Sequence, residues 1–462
     1  MAYRDERDSM GVLKVPEQAY YGAQTQRAVE NFPISGMTMP TPLITALAWI
    51  KRFAAETNRE LGLLEAGIAE AVMRASEDVL AGRLADQFVV DVFQTGSGTS
   101  TNMNMNEVIA GRANEIITGV RGGKSPVHPN DHVNLGQSSN DVIPTAIHVA
   151  ALSEIQSNLL PAMEQLHRAL EEKAAAFSDV RKLGRTHLQD AVPMTLGQEF
   201  SGYARQVALG SSRLASLTPR LAELALGGTA VGTGLNTHPA FAVGTIEKLA
   251  AELSLPFCEA PNHFAAQATQ DTAVETSGAL KAVAVSMVKI ANDIRWLASG
   301  PRSGLGEIAI PSLQPGSSIM PGKVNPVIPE AVVQVAAQVM GNDAAITMGG
   351  QNGFFELNVA LPLIAHNLLQ SISLLSRAAG LFSQRCIVGI EADREACAGY
   401  IEKSLALVTG FVPLVGYDRA ADIAKTALAQ GKTVREVVTA QGELSETVIR
   451  EVLGPPGDDS AD

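Results

Sequence analysis

Apolar and polar positions divide the 462-residue chain into long Ala-, Leu- and Val-rich runs separated by short polar, glycine-bearing interruptions. The runs at 142–178, 196–226, 265–299, 327–347 and 356–385 have helical composition at lengths well beyond an ordinary helix. Within 273–297, Val274, Leu280, Val283, Met287, Ile290, Ile294 and Leu297 recur at steps of three and four, with Ala, Ser and Gly filling much of the rest. A helix that is apolar on more than one face must be surrounded. The pattern therefore predicts a mainly α protein, a bundle of long helices with small residues at close approaches, and burial that continues between subunits. Pro161 predicts a kink or a boundary, because it removes a helical hydrogen bond. Little of the chain alternates with the period of a strand, so short strands are expected only near the ends.

The interruptions fall at 94–106, 121–141, 184–195, 227–239 and 300–326. Toward the end of the chain, 417–440 predicts two short helices joined at Gly431, and the last nine residues, "GPPGDDSAD", are expected to be a disordered tail.

Composition narrows the class. The chain is 46% hydrophobic and 18% charged with a formal net charge of −13, as expected of a soluble globular protein. It lacks a Lys/Arg run that would track phosphates, so nucleic acid is not an expected partner. "MAYRDERDSMG" has no apolar core region, and no later stretch supplies about 18 uninterrupted apolar residues, so neither secretion nor a membrane span is expected. Three widely spaced cysteines argue against a disulfide framework and a Cys-based zinc site, and point to a reducing cytoplasm.

The most unusual interruption is "GSSIMPGKVNP", Gly316 to Pro326. A phosphate-binding loop would need four residues between its glycines and Ser or Thr after the lysine. Here five residues separate Gly316 from Gly322, and Val324 follows Lys323. Neither Ser317 nor Ser318 stands in Gly-x-Ser-x-Gly or three residues before a lysine, so covalent serine catalysis is unsupported. What remains is a glycine-hinged loop presenting hydroxyls, the Lys323 ammonium and the Asn325 amide before a helix that begins near Pro326. Those groups suit a carboxylate substrate, and a solvated loop is the competing reading.

Other interruptions carry similar groups. "GRTHLQD" places Thr186 and His187 in a polar turn between helix-like runs, with Glu330 available to orient the imidazole if the fold allows; a structural histidine is the alternative. "QTGSGTSTNMNMNE" offers Ser97, Thr99 and Asn102, and "HPNDHVNLGQSSND" offers His128, Asn130, Asp131, Ser138, Ser139 and Asn140. His128 and His132 are four apart, but Pro129, Asn130 and Asp131 predict a turn, which weakens a metal site. "LGGTAVGTGLNTHP" lacks the strand and the glycine spacing of a dinucleotide site.

Together these blocks resemble the fumarase/aspartase superfamily, and within it the class II fumarate hydratases. "GSSIMPGKVNP" is similar to the superfamily signature. "QTGSGTSTNMNMNEV", "HPNDHVN", "QSSND", "GRTHLQDAVPMTLGQEF", "GGTAVGTGLNTHP" and "ANDIRWLASGP" resemble fumarase blocks in the same order. The resemblance implies an N-terminal domain (1–137), a central domain of long helices (138–390) and a small C-terminal helical domain (391–462). It also implies a homotetramer with a shared helical core and each active site assembled from three subunits.

The implied activity is reversible anti addition of water to fumarate, giving (S)-malate, with neither metal nor organic cofactor. Ser317 matches the carbon base. His187, supported by Glu330, matches the residue handling the proton of water, and Lys323 and Asn325 match the stabilisers of the aci-carboxylate. Ser97, Thr99, Ser138, Ser139, Asn140, Thr186 and Ser318 match substrate-binding positions, and His128, Asn130 and Asp131 match a second anion site.

Gly322 and the Ser138–Ser139 pair favour a fumarase over an aspartate ammonia-lyase, whereas "NPVIPE" at 325–330 resembles the ammonia-lyase form of that turn. An ammonia-lyase or a hydratase of a substituted fumarate is the alternative enzyme. A structural, crystallin-type protein is the alternative of another class.

Overall fold

The computed structural model describes residues 2–454, so all of the expected tail beyond Gly454 lies outside the described residues. The chain is mainly α-helical, and its contacts divide it into two compact units.

The first unit comprises residues 1–161, 210–284 and 335–377. Its N-terminal hairpin pairs Tyr3–Asp8 with Gly11–Pro16, and helices Thr41–Glu60, Ala66–Leu80, Thr99–Thr118 and Ser139–Glu154 pack around Leu43, Leu47, Ile50, Val72, Ile109 and Ile147. The expected run 142–178 is helical but divided: a π-helical turn, Ile155–Leu159, separates Ser139–Glu154 from Leu160–Ala176. Pro161 stands in the first turn of the later helix, where its missing N–H costs least. The interruption expected at 94–106 extends only to Gly98. The helix Thr99–Thr118 begins at once and buries Asn102, Asn104 and Asn106, whose side-chain amides find partners inside the unit.

The second unit comprises residues 162–209, 285–334 and 378 onward. Phe177, Phe200 and Tyr203 pack edge to face in its core, with neighbouring ring centroids 5.4 Å apart. Its C-terminal part buries Ile401, Phe411, Ile423, Val434, Val438 and Ile449 in one cluster. As expected, helices Tyr417–Gln430 and Val434–Gln441 join at Gly431, whose φ of +62° ends the first of them.

The expectation that strands lie only near the ends is corrected. An antiparallel hairpin, Arg181–Thr186 with Gln189–Thr195, stands in mid-chain, and Leu183 inserts into the C-terminal cluster. Its irregular register between Leu183 and Arg185 leaves Lys182, Leu183 and Gly184 all buried, which erases the alternation that would mark a strand. Two-residue strands also pair at Glu223–Leu224 with Cys258–Glu259 and at Gly353–Phe354 with Leu357–Asn358.

The long helices Asp271–Leu297, Val327–Gly350 and Leu361–Arg385 run through both units. Leu280, Val283, Met287, Ile290, Ile294 and Leu297 are buried, as their spacing predicts, yet Val285 and Trp296 on the same helix remain more than half exposed. No single helix among the described residues is long and apolar enough to cross a membrane.

Candidate active site

The loop carrying Ser317 closes on itself. Gly316 N–H donates to the Lys323 carbonyl at 2.8 Å, and Asn325 Nδ2 donates to the Gly316 carbonyl at 2.6 Å. A Cβ at residue 316 would stand 2.4 Å from the Lys323 carbonyl oxygen, so only glycine permits this neck. Inside the loop, the N–H groups of Ile319 and Met320 donate to Ser317 Oγ at 3.2 and 3.0 Å. Two amide dipoles thus point at one hydroxyl oxygen, an arrangement that favours negative charge on it. Ser318 and Lys323 are exposed, and Asn325 is half-buried. Pro326 directly precedes the helix Val327–Gly350, as expected, and Glu330 lies in that helix's first turn. Lys323 and Glu330 line one cleft of about 850 Å³ together with Arg295, Trp296 and Asp393.

His187 occupies the tip of the mid-chain hairpin. Thr186 pairs with Gln189, and the two residues between them, His187 and Leu188, have φ of +56° and +57°. This is the mirror-image turn that usually selects Asn-Gly, because side chains at both positions resist it at about 1–3 kcal/mol each. The base of the hairpin holds the turn against that cost. Glu307, fully buried, accepts from both terminal nitrogens of Arg185 at 3.0 and 2.9 Å and lies 3.3 Å from Lys182 Nζ, which also reaches Glu199 at 2.7 Å. Burial disfavours the Arg185 charge, but the Glu307 fork outweighs it and holds the guanidinium more firmly protonated than usual. No hydrogen bond among the described residues joins His187 to Glu330 or Ser317.

The remaining site residues lie in the first unit. Ser97 and Thr99 share a hydroxyl–hydroxyl hydrogen bond of 2.8 Å where the helix Thr99–Thr118 begins. Ser138 caps the helix Ser139–Glu154 reciprocally with Asp141, and Ser138 Oγ accepts from Asn140 N–H. The fully buried Asp141 carboxylate accepts from the N–H groups of Gly227 and Thr229, and Asn140 Nδ2 donates to the Ala230 carbonyl. The glycine-rich block at 226–239 therefore folds over this helix N-terminus. Burial raises the Asp141 carboxyl's affinity for its proton, against the pull of these amides and of Lys51.

His128, Asn130 and Asp131 form a compact turn, though of a kind not foreseen: Pro129–Val133 is one turn of π-helix. His128 Nδ1 meets the N–H groups of Asn130 and Asp131 at 3.3 and 3.1 Å, and the Asp131 carboxylate stands 3.2 Å from the same nitrogen. Burial, aided by Lys124 and His132 and opposed by Asp131, shifts this imidazole toward its neutral form.

Sequence reasoning missed Lys51. It lies on the buried face of the helix Thr41–Glu60, fully enclosed, and Nζ donates to Asn134 Oδ1 and Gln137 Oε1, both at 2.9 Å. Burial pushes this ammonium down to about 7, with Asp141 pulling the other way. A signal was present, since Lys51 falls four residues after Leu47 and four before Ala55, on the apolar stripe. Glu307 and Arg185 were also missed.

Comparison with known proteins covers nearly the whole chain. A family model described as "Lyase" matches residues 11–341, and one described as "Fumarase C C-terminus" matches residues 407–456. Fumarate hydratase class II of Nitrosomonas europaea is 56% identical over 443 residues, covering 96% of each chain. The mitochondrial fumarate hydratase of Homo sapiens is 53% identical over 98% of this chain and 89% of its own. Among solved structures, class II fumarase from Schistosoma mansoni superposes with a TM-score of 0.95 at 40% identity, covering 98% of both chains. A fumarate lyase:delta crystallin from Brucella melitensis gives 0.93 at 46% identity over 98% of this chain and 100% of its own. By whole-length identity, by both family models and by fold, the chain belongs to the class II fumarate hydratases of the lyase family.

Proposed function

We propose that the chain hydrates fumarate to (S)-malate and dehydrates malate in return, acting as a hydro-lyase of the tricarboxylic acid cycle. Agreement over almost the entire chain with proteins named fumarate hydratase carries this reading.

In the dehydration direction the difficulty is the carbon proton beside a carboxylate, whose removal creates an aci-carboxylate with added negative charge. Ser317 is the carbon base. The two N–H groups aimed at its oxygen support that role by stabilising an alkoxide. Lys323 and Asn325, held on the same closed loop, stabilise the charge that develops on the substrate, each positioned donor contributing about 2.7–4 kcal/mol where water is excluded. His187, with Glu330 as its support, handles the proton of the water. Ser97, Thr99, Ser138, Ser139, Asn140, Thr186 and Ser318 bind the dicarboxylate, and His128, Asn130 and Asp131 form a second anion site.

The working form is a homotetramer whose sites combine residues from several subunits. The exposed apolar side chains of Val285, Trp296 and Met348 on the long helices support a core shared between copies. Residues 1–137, 138–390 and 391–462 serve as N-terminal, central and C-terminal functional divisions. We place the enzyme in the cytoplasm, in keeping with three free thiols at Cys258, Cys386 and Cys397.

The test follows the loss of fumarate absorbance with purified protein, with and without ammonium. Loss in water alone is expected. Loss that requires ammonium would make the chain an ammonia-lyase, and no loss in either case would leave a structural protein. Ser317→Ala should abolish turnover and leave the oligomer intact; near-normal activity would remove Ser317 from the base role.

A further inference from the structure

Lys51 begins a chain of hydrogen bonds that ends at Ser139. Lys51 Nζ carries at least two N–H groups whether charged or neutral, and it donates one each to Asn134 Oδ1 and Gln137 Oε1. Asn134 Oδ1 therefore accepts, a sense reinforced by Asn134 Nδ2, which donates to the Gln137 backbone carbonyl at 3.0 Å, and the groups meeting Oδ1 from the next helix are donors: Asn102 Nδ2 and Asn106 Nδ2, both at 3.1 Å. With its amide turned that way, Asn102 Nδ2 donates to Ser139 Oγ at 3.1 Å. Asn102 Oδ1 makes no hydrogen bond among the described residues, so nothing else there fixes the amide's sense. The Ser139 oxygen is thereby committed as an acceptor, and its proton finds no acceptor among the described residues. Lys51, Asn102 and Ser139 are buried, at 0%, 1% and 8% exposed, and Asn134 between them is half-buried.

We propose that Lys51 is a positioning residue of the dicarboxylate site: by orienting Asn134 and then Asn102, it turns the Ser139 hydroxyl so that its proton points outward as a donor to a substrate carboxylate. The proposal rests on the reading of Ser138–Asn140 as a carboxylate-binding segment. Lys51 does not touch substrate. Together with the Gln137 carbonyl, it removes the alternative in which Asn134 or Asn102 is flipped and Ser139 spends its proton inside the protein.

The test uses the full-length enzyme and succinate, a dicarboxylate that cannot be hydrated, as a competitive inhibitor. Lys51→Met keeps the length and removes the donor. It should weaken succinate inhibition and raise KM about 10- to 100-fold, with kcat changed far less. Ser139→Ala should do likewise, and the double variant should lose no more than the worse single one, because both break one chain. Multiplicative losses, or unchanged inhibition in Lys51→Met with only a lower Tm, would overturn the proposal. Unchanged inhibition in Ser139→Ala would remove the carboxylate-site reading and the proposal with it, whereas a damaged Ser139→Ala beside a normal Lys51→Met sinks the proposal alone. If Lys51→Met does not fold, Asn134→Leu breaks the next link and must weaken inhibition to the same degree; normal inhibition there is equally decisive against the idea.

Discussion

Glu307→Gln is the most informative substitution in the second unit, because it removes one charge and almost no volume. Glu307 is fully enclosed, bound by both Arg185 nitrogens at 3.0 and 2.9 Å and 3.3 Å from Lys182. A glutamine retains one acceptor but turns an N–H donor toward a group that can only donate. Breaking a buried ion pair costs about 3–5 kcal/mol, and because Glu199 still pairs with Lys182 the expected value is about 3 kcal/mol. Urea unfolding followed by tryptophan fluorescence measures it, since Trp296 lies in the same unit. Arg185→Met combined with Glu307→Met should recover most of the loss, because an apolar pair carries no uncompensated charge. Turnover should fall in Glu307→Gln as the strained His187 turn, two residues beyond Arg185, loosens. A stability loss below about 1 kcal/mol, or a double variant no better than the single, would refute the account of what holds the hairpin.

Two other predictions are independent of it. Gly316→Ala should cut kcat at least tenfold with little effect on Tm, as its Cβ would drive the Lys323 carbonyl away and open the loop; near-normal kcat would show that the closed neck is dispensable. Acid stability should depend on Asp78 and Glu115. Burial raises both carboxyls, but hydrogen bonds from Arg112 and Arg83 to Asp78, and from Tyr20 and Arg112 to Glu115, outweigh it and hold each below its ordinary value. Their stabilisation is therefore complete above about pH 5, beyond both unfolded-state values, and lost as pH falls through the lower folded-state values. Asp78→Asn should lower Tm at neutral pH and flatten its decline in acid, and an unchanged acid limb would contradict this.

Much of the helical architecture was legible because its cause is local. The step of three and four through Leu280, Val283 and Met287, and the helix stop at Gly431, each follow from a handful of neighbouring residues. What escaped depends on partners distant in sequence. Asn102, Asn104 and Asn106 look like loop residues until Asn134 and the Gln87 carbonyl supply acceptors. The hairpin that carries His187 has neither alternation nor a glycine turn, because burial on both faces and the Glu307 pairing replace those signals. The stripe that carries Lys51 marks it as buried, but its acceptors, Asn134 and Gln137, appear only once the helix is packed.

The closed neck of the Gly316–Asn325 loop determines what a substrate must do on arrival. Fixing a backbone residue costs about 1–2 kcal/mol, and here that ordering is complete once the chain has folded. Binding need not collect Ser317, Lys323 and Asn325 one at a time. Because the neck joins both ends of the loop, a disturbance there should displace the proposed base and its proposed charge stabilisers together, slowing every substrate alike without changing the preference among them.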